Sequence, residues 1–401
     1  MFLFFCTAHE KRMFIQMNIE NLLKETELNP QAVKEFFSKK YMDENSSGMN
    51  SHQRVSLSLN HQEPDRVPFD FWGVPETWDK LFEFFSFTKK NDVLDLLGVD
   101  CRIVSPQYCG PELEVLEDGR FYNVWGSLRK IVTNEYSQYE EYAGFPLAEV
   151  SSVAQVEQWD KWPRSEYWDW NSIGKEVKEA NSQEPRHIRY DIGGIFETAW
   201  GVFGLDNFLI ALYEKPEVVC AIMDCYTEIF ISNFKNLMSK NEGLIDMVYT
   251  YDDVATQDGL LMSPDMWRQY ILPFHQKLNK VIKEYDVKLI YHSCGAILPL
   301  VEALRDEMHI DVLNPLQPAA KGMDMAYIKK TFGDTLAFHG GGDLQKTLPY
   351  GSVDEVKEEV KSLCRTLGTG GGYICTSAHY MQADIPLRNI LSFFSASRSC
   401  H

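Results

Sequence analysis

The chain has 401 residues, 44% of them hydrophobic and 24% charged, which is enough for one large globular domain or two ordinary ones. Its formal net charge of -19 argues against a nucleic-acid partner or an anionic membrane surface, because phosphate groups bind basic faces. The nine cysteines are odd in number and lack a framework spacing, and no apolar run reaches the roughly 20 residues of a membrane span. We therefore expect a reduced, cytoplasmic protein.

The first 48 residues are predicted to form an N-terminal helical extension, followed by a main domain at residues 49–401. Residues 19–28 and 32–41 carry apolar side chains at helical spacing, and Asn29-Pro30 separates the two stretches. The extension could pack on the main domain or contact a partner.

The main domain alternates between strand-like and helix-like segments. Val67–Gly73 is predicted as the first strand, and residues 110–165 contain a hairpin insertion. Later strands are predicted at His187–Ile192, Met247–Tyr251, Val287–Tyr291, Asp311–Leu313, Leu336–His339 and Gly372–Cys375. Intervening helices are predicted at Asp206–Leu212, Pro216–Ser239, Pro264–Tyr285, Ala326–Thr331 and Ser352–Leu367. About eight strands in repeated βα units favour an α/β fold, a (β/α)8 TIM barrel, over an open doubly wound sheet.

Polar and aromatic residues follow each predicted strand. In a barrel the carboxyl ends of all strands meet at one rim, so these side chains should converge there. The candidates for substrate binding are Asp70, Phe71, Trp72, Phe196, Trp200, Gln257, Asn314, His339 and Gln382.

His292 and Cys294 stand at positions i and i+2 at the end of the Val287–Tyr291 strand, so both side chains can face one side. Imidazole nitrogen and thiolate sulfur are ligands that zinc prefers, and His379 at the end of the last strand would make a third. Three protein ligands leave a fourth position open, as catalytic zinc requires. The alternatives are a buried His and Cys that bind no metal, a His379 that is a polar loop residue, and Cys375 as a ligand in its place.

Three carboxylates are candidates for catalysis. Asp252 and Asp253 are adjacent at the end of the Met247–Tyr251 strand, where one could orient a ligand histidine or handle a proton. Glu197 lies in an apolar stretch that could raise its pKa and make it an acid. The alternatives are a helix cap or a loop carboxylate for the aspartates and a salt bridge for Glu197.

Four motifs resemble the uroporphyrinogen decarboxylase superfamily across about Met49 to Phe394. They are Leu59–Pro68, Tyr291–Gly295, Phe338–Asp343, and Gly371–Tyr373 with Asp384–Pro386. The resemblance implies the (β/α)8 barrel. The arginine-rich motif with which the decarboxylases proper hold tetrapyrrole carboxylates is replaced here by Phe69–Gly73, which contains no arginine.

The His292-x-Cys294 element is similar to the corrinoid-linked methyltransferases of that superfamily, which hold zinc through His, Cys and a further Cys. The resemblance puts His379 at the position of that last Cys. It implies a zinc-dependent methyltransferase or demethylase that acts on a small methyl donor or acceptor with a partner protein carrying a corrinoid (cobalamin). A decarboxylase of a tetrapyrrole or smaller acid is the alternative, and a non-catalytic barrel that binds a corrinoid or a partner is a third. Whether the chain forms a homodimer stays open.

Overall fold

A computed structural model describes residues 19, 21–38, 48–134, 137–396 and 400 of the chain. Its main sheet has seven parallel strands in the order β1-β7-β8-β9-β10-β11-β12. They are β1 (Cys101–Val104), β7 (His187–Gly193), β8 (Met247–Tyr251), β9 (Lys288–His292), β10 (Val312–Leu316), β11 (Ala337–Gly342) and β12 (Tyr373–Ser377). The predicted α/β fold with a parallel sheet is therefore confirmed.

The predicted first strand, Val67–Gly73, forms isolated bridges and no regular strand. Phe69 pairs with Cys375 of β12, and the carbonyl of Phe69 accepts a hydrogen bond from the N–H of Asp100, next to β1. Gly73 also bridges to Met381. Pro68 lacks a backbone N–H, which limits regular ladder formation in this segment. The segment nevertheless bonds to elements at both edges of the curled sheet.

Helices connect the strands and cover the outer face of the sheet. They are α1 (Pro30–Ser38), α2 (Ser51–Leu59), α3 (Pro75–Phe85), α4 (Lys90–Leu97), α5 (Val153–Glu157), α6 (Ser172–Ala180), α7 (Ile195–Phe203), α8 (Leu205–Glu214), α9 (Pro216–Asn241), α10 (Pro264–Tyr270), α11 (Leu272–Ile282), α12 (Val301–Asp306), α13 (Met325–Phe332), α14 (Thr347–Tyr350), α15 (Val353–Leu363) and α16 (Leu387–Ala396). Short 3₁₀ turns at Ser165–Tyr167 and Leu298–Leu300 and a π-helical turn at Cys364–Gly368 complete the set.

The single helix predicted over Pro264–Tyr285 is wrong, because α10 ends at Tyr270 and α11 begins at Leu272. Pro273 lies in the first turn of α11, where a proline is tolerated, but it cannot continue the hydrogen-bond ladder of a preceding helix. The helix α7 was not predicted at all, and it carries Glu197 and Trp200.

The insertion before β7 forms antiparallel sheets. The strands β3 (Phe121–Tyr122), β4 (Leu128–Thr133) and β5 (Gln138–Gly144) pair in that order, while β2 (Gln107–Tyr108) pairs with β6 (Trp168–Asp169). The predicted hairpin is thus part of a three-stranded sheet.

The described part of the N-terminal extension packs on the main domain. Val33, Phe36 and Phe37 of α1 are buried in the larger hydrophobic core, which lies between the sheet and the helices and which we call the outer core. The helix α1 contacts α3 and α4. Residues 1–18 and 39–47 of the predicted extension lie outside the described residues. The domain boundary at residue 48 stays a prediction.

Side chains of each strand alternate between two cores, as the period of a strand requires. Val248 of β8 and Leu289 of β9 face the helices in the outer core. Met247 and Tyr249 of β8 face the space that the curled sheet encloses, together with Trp72, Cys101, Ile290, Val312, Ala337 and Ile374. We call this space the interior.

Among the helices that the structure describes, none is by itself long and apolar enough to cross a membrane. One consecutive pair, α7 with α8, passes the same test together, although its two helices meet at an angle of 99°.

Candidate functional site

His292, Cys294 and His379 meet at the carboxyl end of the sheet. One ligand atom from each lies within 4.8 Å of the others, and we call these three residues the metal cluster. The Nε2 of His292 and the Sγ of Cys294 are 3.5 Å apart, and the rings of His292 and His379 have centroids 5.4 Å apart. The structure therefore brings together the three side chains that the sequence predicts as metal ligands.

Local geometry fixes Cys294 in the cluster. His292 is the last residue of β9, and the chain turns immediately after Cys294 at Gly295, whose φ is 92°. A Cβ on Gly295 would lie 2.4 Å from the carbonyl oxygen of Thr256, so this close approach requires glycine. The N–H of Cys294 donates to Oδ1 of Asp253 at 2.7 Å, which ties this turn to the end of β8.

His379 comes from the loop after β12. The Oγ of Ser377 donates to the carbonyl oxygen of His379 at 2.6 Å, and the N–H of Met381 donates to the carbonyl of Trp72 at 2.8 Å. The loop is thus fastened to the Val67–Gly73 segment. Burial lowers the pKa of His379, so its imidazole is neutral and able to bind a metal at neutral pH.

Glu197 and Asp253 form an acidic pair beside the metal cluster. The N–H of Asp253 donates to Oε1 of Glu197 at 2.8 Å, and Oδ1 of Asp253 is 3.6 Å from Nε2 of His292. Burial, followed by the negative charges of Asp253 and Asp252, raises the pKa of Glu197 to about 8. Glu197 is therefore mostly protonated at neutral pH and can donate a proton.

Asp252 is fully buried and faces away from its neighbour Asp253. Its carboxylate accepts hydrogen bonds from the N–H groups of Phe196 and Glu197 at 2.9 and 2.8 Å. It also lies 2.5 Å from Nε2 of His275. Gly194 at the start of α7 offers no side-chain cap. The carboxylate of Asp252, which directly follows β8, caps this helix instead. The helix-cap alternative describes the contacts of Asp252 better than the catalytic one.

Asp70 is buried in the interior and accepts three hydrogen bonds at Oδ2. The donors are Nε1 of Trp72 at 2.7 Å, Nη1 of Arg189 at 2.9 Å and Nε2 of His339 at 3.0 Å. Burial alone would raise the pKa of Asp70, but Arg189 and these hydrogen bonds hold it well below its usual range. Asp70 is therefore an anion inside the protein.

Arg189 is an interior residue that sequence reasoning missed. Its guanidinium lies over the rings of Trp72 and Tyr249, 4.5 and 5.4 Å from their centroids, and its Nε donates to Asp191 at 3.0 Å. The signal was present in β7, where His187, Arg189 and Asp191 alternate with apolar residues and so share one face.

Asn314 and His339 connect Asp70 to the metal cluster. Nδ1 of His292 is 2.5 Å from Oδ1 of Asn314, and Nδ2 of Asn314 is 2.7 Å from Nδ1 of His339. Both Asn314 and His339 have no solvent exposure. The residues that we expected to contact substrate are thus held within a buried network behind the cluster.

The remaining predicted residues are more dispersed. Phe71 packs against Trp78, and Phe196 packs against Phe208, both in the outer core. Trp72 faces the interior with its ring stacked 6.3 Å from that of His292. The other three are less buried: Trp200 is half-buried beside Tyr142, and Gln257 and Gln382 are exposed.

The metal cluster fits zinc in donor type and spacing. Zinc binds imidazole at about 2.0–2.1 Å and thiolate at about 2.3 Å, so tetrahedral nitrogen and sulfur ligands lie about 3.6 Å apart. The separation of 3.5 Å between His292 and Cys294 matches that value. Burial, followed by the charges of Asp253 and Glu197, raises the pKa of the Cys294 thiol well above its usual range. A thiolate at this position therefore needs a cation beside it.

Comparisons with known proteins give the family and the fold of the chain. The family model described as uroporphyrinogen decarboxylase (URO-D) matches residues 191–400, just over half of the chain. A solved structure of a methyltransferase from Methanosarcina mazei is similar, with a TM-score of 0.62 and 18% sequence identity over 88% of this chain and 99% of that chain. At that identity the likeness shows a shared fold. No curated protein matches the sequence.

Proposed function

We propose zinc-dependent methyl transfer for this chain, which belongs to the uroporphyrinogen decarboxylase family. The enzyme would exchange a methyl group between a small molecule and a corrinoid held by a separate protein. The observation that carries the proposal is the metal cluster, in which two imidazoles and a thiol lie within 4.8 Å of one another at the carboxyl end of a parallel sheet. We further propose that this sheet and Val67–Gly73 together form a (β/α)8 barrel, whose active sites lie at that end.

His292, Cys294 and His379 would hold the zinc. The metal would supply Lewis acidity, either to activate a thiol or to polarise a methyl-bearing oxygen. Asp253 orients the loop through the N–H of Cys294, and Glu197 holds a proton. Since Oε1 of Glu197 already accepts the N–H of Asp253, Oε2 is the oxygen that would carry this proton to a leaving group.

Decarboxylation of a tetrapyrrole or a smaller acid is less well supported by the interior charges. A polycarboxylate substrate needs cationic groups with free hydrogen-bonding capacity. The guanidinium of Arg189 is paired with both Asp70 and Asp191, and Asp253 and Glu197 add further acidic groups beside the cluster. This charge balance favours a neutral or cationic small molecule over a polyanion.

Metal content and methyl transfer test the proposal together. Protein purified without chelator should carry about one zinc per chain by elemental mass spectrometry, and Cys294→Ser should lose most of it. Free methylcobalamin can stand for the corrinoid protein, and its absorbance should fall when a methyl acceptor is supplied from a panel of thiols. Cys220→Ser, a half-exposed cysteine on α9, is the matched control and should retain zinc and turnover.

A wild-type protein that takes up no zinc, together with full methyl transfer by Cys294→Ser, would overturn the proposal. Zinc uptake without turnover of any methyl donor would instead favour the non-catalytic alternative.

A further inference from the structure

We infer that Asn314, His339 and Asp70 are positioning residues that fix the tautomer of His292 from behind the metal cluster. The inference rests on the proposed zinc site and assigns a role to residues that the sequence suggested as contacts for substrate. The four side chains form one continuous hydrogen-bonded row through the interior, and each lies on a different strand or segment of the curled sheet.

The row allows one assignment of protons that satisfies each link. Asp70 accepts from Trp72 and Arg189 and is an anion, so it can only accept from His339. The Nε2 of His339 must then carry the proton, which leaves Nδ1 of the same ring as an acceptor. Asp70, at the end of the row farthest from the cluster, therefore sets the direction in which the hydrogen bonds of the row run.

The same logic continues through the amide. Because Nδ1 of His339 accepts, Asn314 must present its Nδ2 to that ring and its Oδ1 to His292. Oδ1 can only accept, so His292 donates from Nδ1 and keeps a lone pair on Nε2. That nitrogen is the one 3.5 Å from Cys294, where a metal ligand is required. Asp70 thus determines which nitrogen of His292 is free to bind.

Strand register holds the row together. His292 and Asn314 are direct partners on β9 and β10, and Val312 pairs with Ala337, two residues before His339 on β11. Asp70 follows Phe69, which bridges to Cys375 on β12. His292, Asn314 and His339 thus come from three adjacent strands, Asp70 reaches His339 from the segment beyond β12, and rotation of the His339 ring would break two links.

Two other roles fit the geometry less well. Asn314 and His339 have no exposed surface, so they do not contact a substrate in this conformation. The row is also unsuited to conduct protons, because the amide of Asn314 cannot accept a proton at nitrogen and release another at oxygen under ordinary conditions. An orienting role uses the three side-chain bonds of the row and needs neither solvent access nor proton movement.

The test measures zinc affinity of full-length apoprotein by competition with a chromophoric chelator. His339→Phe keeps a ring but removes both polar atoms, and Asn314→Leu keeps the shape but removes the acceptor for His292. Each should weaken zinc binding about 10- to 100-fold, which is the usual effect of losing an outer-sphere partner. His339→Gln should restore near wild-type affinity, because its oxygen can accept from Asn314 and its amide N–H can donate to Asp70.

Thr376→Val is the matched control, because Thr376 is buried on β12 and its hydroxyl has no hydrogen-bond partner among the described residues. It should leave zinc affinity unchanged. Thermal unfolding of each apoprotein, measured in chelator, separates loss of fold from loss of affinity. Equal zinc affinity in wild type and His339→Phe would overturn the inference, and so would a His339→Gln variant as weak as His339→Phe.

A measurement on the wild type keeps the inference testable if the variants do not fold. Imidazole nitrogen NMR of histidine-labelled apoprotein should show His292 protonated at Nδ1 and His339 protonated at Nε2, with His339→Gln used for assignment. The opposite tautomer at either ring would contradict the inference. Absence of zinc binding by the wild type would count against the proposed function, whereas zinc binding that is insensitive to His339 would count only against the positioning role.

Discussion

The carboxyl group of Glu197 accepts a hydrogen bond at Oε1 from the backbone N–H of Asp253, with a donor–acceptor distance of 2.8 Å. This bond joins the first turn of α7 to the end of β8, and Asp253 in turn accepts the N–H of Cys294. Two hydrogen bonds therefore separate a protonated acid from the predicted metal ligand. Such an arrangement keeps the acid near the reacting groups without making it a ligand.

Glu197→Gln should lower the methyl-transfer rate by on the order of 100-fold, because a positioned general acid typically contributes that much or more. The pKa of Glu197 is raised to about 8, so the wild-type rate should fall as the pH rises through that value. The variant should lack this limb of the profile. Rates measured from pH 6 to 9 test the prediction, and an unchanged limb in Glu197→Gln would contradict it.

The same group should make stability depend on pH. The ordinary pKa of a glutamate is 4.5, and the folded value of about 8 lies above it, so the folded protein binds the extra proton. The free energy of unfolding should therefore fall as the pH rises between these two values. Glu197→Gln should reduce this decline in urea titrations. Glu302→Gln, at a side chain that is 79% exposed, should leave the decline as in wild type.

The adjacent aspartates should separate stability from activity. Asp252→Asn replaces a buried acceptor for two helix N–H groups and for His275, and it should cost on the order of 3 kcal/mol. Asp253→Asn is the matched variant at a side chain that is 44% exposed, and it should lower activity with little loss of stability. Urea midpoints and turnover rates measure both effects. The reverse pattern would show that the structural and catalytic assignments of the pair are exchanged.

His379→Cys should keep the zinc but change its reactivity. With one thiolate and two neutral imidazoles the proposed site has a formal charge of +1, and a second thiolate would reduce it to zero. We expect stoichiometric zinc in the variant and a shift in the acceptor profile toward thiols, because the metal becomes less electrophilic. Elemental analysis and a comparison of acceptors test this. His379→Ala should lose zinc, and a His379→Ala variant with full zinc content would remove His379 from the ligand set.

The sequence predicted the metal cluster because the necessary information was local or repeated. His292 and Cys294 share a side through strand spacing, and His379 follows the last strand of the same sheet. The alternation in β7 places Arg189 on one face with His187 and Asp191, but it does not identify the partner Asp70, which is 119 residues distant. Strand spacing gives the face on which a charged side chain lies, whereas the remote residue that pairs with it is known only from the fold.

The different contacts of Asp252 and Asp253 could not be predicted from the sequence either. Neighbouring residues in an extended segment point to opposite sides, but which side faced the metal cluster depended on α7. That helix was not predicted, because Ile195–Phe203 is apolar on most of its surface and shows little of the polar–apolar alternation of a surface helix. The cap that Asp252 provides became recognisable only when the start of α7 was known.

We expect the N-terminal extension to stabilise the main domain, although the main domain should fold without it. Phe37 of α1 is 4% exposed in the outer core, so Phe37→Ala should cost about 3 kcal/mol through lost burial and the cavity it leaves. Glu35→Ala, at an exposed position of the same helix, should have little effect.

Removal of residues 1–48 should give a protein that still unfolds cooperatively but at a lower temperature, since the strands and the metal cluster all lie beyond residue 66. Thermal melts followed by circular dichroism compare the three variants. A truncated protein without a cooperative transition would show that α1 is an integral part of the main domain, and an unchanged Phe37→Ala melt would show that its packing adds nothing.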